Sequence, residues 1–194
     1  MIKYLIIPLK MVAFLILVEF LAISLNQGCN VVQNRDFIKD GTKTKYDAAA
    51  YERLDSLVIS AKCDTIITLE RTGCLGKCPV FKIALLSNGA VYFQGLHHVK
   101  KPGIHDTLFN KADLRILVSK FYSSGFFKLR DKYDLTNCVG PTDLSSLSVS
   151  ITTPDTSKKV SFYIGCMDYA REGRLITNLA SGIEDISNVK SWIR

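Results

Sequence analysis

With 194 residues, 47% of them hydrophobic and 22% charged, the chain is too apolar for intrinsic disorder and too mixed for a fibrous repeat. One compact domain is the expectation from its length. The formal net charge of +7 comes from 25 Lys and Arg against 18 Asp and Glu, yet no basic run exceeds Lys100-Lys101 or Lys158-Lys159. Nucleic-acid binding, which needs clustered cations with interleaved aromatics, is therefore not expected. The charge reads as a solvated surface, with weak attraction to anionic envelope polymers as the alternative.

The apolar residues are unevenly placed. Residues 1–25 are almost entirely aliphatic or aromatic, with Lys3 and Lys10 ahead of the run 11–18 and Glu19 before the run resumes. A basic start followed by such a stretch is the pattern of a secretory signal. A spanning helix is the weaker reading, because it would bury both Lys10 and Glu19 in hydrocarbon at roughly 2.5–3.5 kcal/mol each. Next comes Leu25-Asn26-Gln27-Gly28-Cys29, which resembles a bacterial lipoprotein signal in its small residue before a cysteine. It departs from that pattern at Asn26, where an aliphatic residue is usual. Residues 1–28 are thus expected to be a lipoprotein-type signal peptide and Cys29 the lipidated first residue of the mature chain. The remainder would face the periplasm or exterior from an envelope membrane.

Residues 29–63 divide into a polar tether and a lead-in helix over about 47–60, where Ala50, Leu54, Leu57 and Val58 recur at helical spacing. A single α+β domain is expected over 64–194: antiparallel hairpins with two helices packed on the sheet. Its first strand covers 64–71. The hairpin around Asn88-Gly89 joins alternating runs, as in a two-residue turn with both residues at positive φ. In that register Ser87 pairs with Ala90, Leu85 with Tyr92, Ile83 with Gln94 and Phe81 with Leu96. Both hairpin faces are apolar, so it is either central to the fold or keeps a face for a partner. A short strand over 104–109 and a helix capped by Asn110, with stripe Leu114, Leu117, Val118 and Phe121 and stop Gly125, follow. After a loop holding Tyr133 and Asp143 come a hairpin turning at Pro154-Asp155 and a final helix carrying Leu175, Leu179, Ile183 and Ile186. Trp192 is available to pack back on the core.

The six cysteines are Cys29, Cys63, Cys74, Cys78, Cys138 and Cys166. In an exported chain they read first as disulfide partners. Gly73 and Gly76 allow Cys74 to close on Cys78; Cys138 with Cys166 is the second pairing, and Cys63 is the spare thiol. The segment Arg71-Thr72-Gly73-Cys74-Leu75-Gly76-Lys77-Cys78-Pro79-Val80-Phe81, with the hairpin after it, resembles bacterial domain-of-unknown-function family 6438. The resemblance runs through Gly125-Phe126-Phe127 and the Tyr133 loop to the helix before Trp192. It implies an exported domain or lipoprotein, and it implies no catalytic residues.

Cys-x-x-x-Cys-Pro also resembles the copper site of membrane-tethered, thioredoxin-fold copper chaperones, with His97 or His98 as the nitrogen ligand and soft sulfur favouring Cu(I). That family has a helix after its cysteines where this chain has a hairpin. A thioredoxin-type redox motif needs two intervening residues, and here there are three. With only His97, His98 and His105 to draw on, no Ser-His or Cys-His constellation assembles, and no phosphate loop or zinc-protease motif is present. The expectation is a non-enzyme without cofactor: an envelope-tethered binding or structural module for a neighbouring protein, polymer or small ligand. The alternative is a periplasmic Cu(I) or thiol-redox protein using Cys74, Cys78, His97 and His98.

Overall fold

The computed structural model describes residues 66–194. The signal, Cys29, the tether, the lead-in helix and Cys63 lie outside the described residues. Seven strands form one mixed sheet: β1 (Ile66–Arg71), β2 (Val80–Leu86), β3 (Ala90–His97), β4 (Gly103–Leu108), β5 (Lys132–Tyr133), β6 (Ser146–Thr152) and β7 (Ser157–Tyr163). Their order across the sheet is β4-β3-β2-β1-β6-β7-β5, antiparallel throughout except where β5 runs parallel to β7. Helices α1 (Lys111–Ser123) and α2 (Ala170–Ile186) pack on it, and a single turn, α3 (Lys190–Ile193), follows. The expected α+β fold is the one observed.

Alternation sets which face each strand buries. Strand β6 reads Ser-Leu-Ser-Val-Ser-Ile-Thr, so Leu147, Val149 and Ile151 enter the core while the hydroxyls line the other face. There Thr68 meets Ser150 at 2.6 Å and Ser148 donates to Ser161 at 3.1 Å. Ile67 and Leu69 of β1, and Phe81, Ile83 and Leu85 of β2, share the core side with Val91 and Phe93. Against them lie Leu114, Leu117 and Phe121 of α1, and Ile176, Leu179 and Ile183 of α2. Asn110 caps α1 by accepting from the Ala112 N–H at 3.0 Å. Gly125, at φ 85°, ends it in the left-handed region that an L side chain avoids. Trp192 does pack back: its ring meets Phe93 edge-on at 5.6 Å and His105 at 5.8 Å, under the Lys101 ammonium at 3.9 Å.

The first hairpin differs from the expected register by one residue. Leu85 pairs with Val91, Ile83 with Phe93 and Phe81 with Gly95, leaving Ser87, Asn88 and Gly89 as a three-residue loop. Only Gly89 has positive φ, at 95°; the Asn88 side chain instead accepts from the Ala90 N–H at 2.9 Å. That is a turn closed by a glycine bulge rather than a two-residue turn needing two left-handed residues. The faces change with the register: Phe93 and Val91 now join Phe81 in the core, and Tyr92 stands with Ala84 and Leu86 on the second face. A bulge between Val80 and Phe81 then sets His97, not Leu96, beside the start of β2.

Candidate functional site

The loops after β1, β3, β5 and β7 all leave the sheet at one end, because antiparallel pairing alternates strand directions. The opposite end carries the tight turns over 87–89 and 153–156. Both disulfides brace the long-loop end. Cys74 is joined to Cys78 inside the loop between β1 and β2, and Cys138 to Cys166 across the loops before β6 and after β7. The expected pairings are therefore present.

Backbone hydrogen bonds knit these loops together. The Leu75 N–H donates to the Asp143 carbonyl at 3.2 Å, and the Met167 N–H to the Val139 carbonyl at 3.1 Å. The Tyr163 hydroxyl donates to the Pro141 carbonyl and accepts from the Leu144 N–H at 2.9 Å. Gly140 crosses Gly165 so closely that a Cβ there would stand 1.8 Å from the Gly165 oxygen, so only glycine fits this crossing. Large apolar side chains stand out from the loops so held. Leu75, Val139 and Met167 are 84%, 73% and 70% exposed, and Leu135, Leu144 and Ile164 are exposed beside them.

Asp134 organises the loop leading to Cys138. Its carboxylate accepts from the Thr136 hydroxyl at 2.6 Å and the Thr136 N–H at 3.1 Å and pairs with Lys132, while its carbonyl accepts from the Cys138 N–H at 2.9 Å. The Lys132 ammonium first, then the Thr136 hydroxyl and N–H, lower its pKa to about 2. A carboxyl depressed on folding contributes stability that is present above its unfolded pKa and is lost as pH falls through the folded value. Asp134→Asn is therefore expected to flatten the pH dependence of stability between about pH 4 and pH 2, as read from urea midpoints in that window.

The histidines lie at the same end. His97 sits opposite Val80 at the bulge, and His98, at φ 53°, lines a shallow basic groove of about 460 Å³ with Lys77, Pro79, Lys100 and Arg194. His105 faces the core side of β4 against Trp192, with a ring nitrogen 2.8 Å from the Pro102 carbonyl oxygen. Cys74 and Cys78 are in a disulfide, and among the described residues no group of three or more His, Cys, Asp or Glu is arranged to hold a metal ion.

The family model of a domain of unknown function, DUF6438, matches residues 65–184. The chain belongs to this family. No curated protein matches the chain. The matched part of the DUF6438 domain runs from the entry into β1 to Glu184 of α2, whose carboxylate accepts from Arg71 at 3.0 Å. It therefore includes both disulfides and every long loop of the braced end. Sequence reasoning found the cysteines of this surface but not its apolar tips. The only signal for those was Val139 and Met167 lying within a residue of Cys138 and Cys166.

Proposed function

We propose that this DUF6438 domain is a binding module of the bacterial cell envelope, held to a membrane by a lipid on Cys29, and that it meets its partner with the braced end of the sheet. One observation carries the reading: six of the nine large apolar side chains exposed among the described residues stand on loops at that end. Apolar groups gathered on loops that disulfides hold still make a pre-organised surface, which loses little entropy on binding. A neighbouring envelope protein fits better than a small ligand, because the exposed side chains project from loops and the groove beside them is shallow. The domain acts here as a non-enzyme.

A photo-crosslinking residue in place of Leu75 or Met167, used in intact envelopes, is expected to yield the same discrete adduct from both positions and none from Leu108 at the far end. Equal adducts from Leu108, or none from either loop, would overturn the surface assignment. The anchor has its own test: a fatty-acid probe should label wild type and not Cys29→Ser. Cu(I) binding would require Cys74 and Cys78 as thiolates, which the disulfide withholds.

A further inference from the structure

The sheet's second face divides into two zones. On β6 and β7 it is the hydroxyl ladder, with Ser148, Ser150 and Ser161 half-buried and Thr152, Ser157 and Lys159 exposed. On β2 and β3 it is closed off: Ala84 and Leu86 are fully buried, and even Lys82 and Gln94 are only 5% and 2% exposed. Both long helices pack on the opposite face, against Phe81, Ile83 and Leu85. Lysine and glutamine are seldom buried without cover, since desolvating them is costly. Burial, and then Asp106 across the β3–β4 pair, push the Tyr92 phenol up on this same face. Neither long helix therefore supplies the cover on this zone.

We propose that residues 47–60 dock on this zone, making the lead-in segment part of the domain rather than of the tether. Three features fit it. Ala50, Leu54, Leu57 and Val58 form an apolar stripe at helical spacing that suits Ala84, Leu86 and Ile66. Ile66, where the chain enters the sheet, pairs with Leu86, so residues 61–65 suffice to bring the segment alongside. A 14-residue helix is about 21 Å long, close to the roughly 23 Å of a seven-residue strand. The docking stands independently of the lipid anchor.

The test is amine labelling of the full chain in native membranes, read peptide by peptide. Lys82 is expected to react at least tenfold more slowly than exposed Lys159, and the Leu54→Asp, Leu57→Asp double variant should speed Lys82 at least fivefold while leaving Lys159 unchanged. Lys82 as fast as Lys159 in wild type, or equally slow in the variant, would overturn the proposal. Should the variant unfold, a photo-crosslinking residue in place of Leu57 decides: adducts within residues 80–97 of the same chain support docking. Adducts on α1, on α2 or on a second copy refute it.

Discussion

Replacing Cys138 and Cys166 together by alanine is expected to cost about 3.5 kcal/mol of unfolding free energy. The bridge spans 28 positions, and the loop-closure entropy it removes from the unfolded chain has that size. Alanine is the appropriate replacement because both cysteines are buried, and a serine hydroxyl there would add its own desolvation cost. For about 130 residues the loss corresponds to a melting point lower by roughly 10–15 °C. The Cys74–Cys78 bridge spans four positions in an exposed loop, so its removal should cost about 2 kcal/mol or less. Urea unfolding of the two double variants checks the order, and a larger loss from the short bridge would contradict it.

Phe121→Ala is expected to cost about 3–5 kcal/mol. The ring is fully buried on α1 and meets Phe126 perpendicularly at 4.9 Å, just past the Gly125 stop. Truncation removes transfer energy and leaves a cavity between the helix and the turn beneath it, which the short Phe126–Lys128 helix is poorly placed to fill. Tyr122, its neighbour on α1, is half exposed and packs on Phe127 at 4.9 Å, so Tyr122→Ala should cost under about 1 kcal/mol. Denaturant midpoints of the two variants separate a core role from a surface one.

Much of the fold was legible because alternation and capping are local. The serines of β6 and the Asn110 and Gly125 signals each concern groups within a few residues of one another. The hairpin register was not legible, since Asn-Gly serves both a two-residue turn and a three-residue loop with a glycine bulge. The φ of Asn88 alone separates them, and the cross-strand packing of Phe81 on Phe93 at 5.8 Å decides it. Strand β5 falls in a stretch that the sequence reads as loop, because two residues show no period. It pairs with β7 because Tyr133 packs on Phe162 at 5.7 Å and Tyr169 at 4.9 Å, contacts remote in sequence. The Cys74–Cys78 pair of the candidate site could be reasoned from its short, glycine-flanked spacing, whereas Cys138 with Cys166 could not, because their meeting depends on how the loop before β6 folds back. The site's apolar tips could not either, because a valine or methionine in a loop carries no mark of whether it faces in or out.

Two disulfides brace the loop end, and the proposed envelope location is a compartment in which they would stay oxidised. The direct measurement blocks free thiols in intact envelopes, then maps modified cysteines by mass spectrometry without prior reduction. All four of Cys74, Cys78, Cys138 and Cys166 should remain unmodified until reductant is added. Alkylation of Cys74 and Cys78 alone would put thiols where the account has a brace and favour a metal or redox role. Alkylation of all four would contradict both the brace and the compartment.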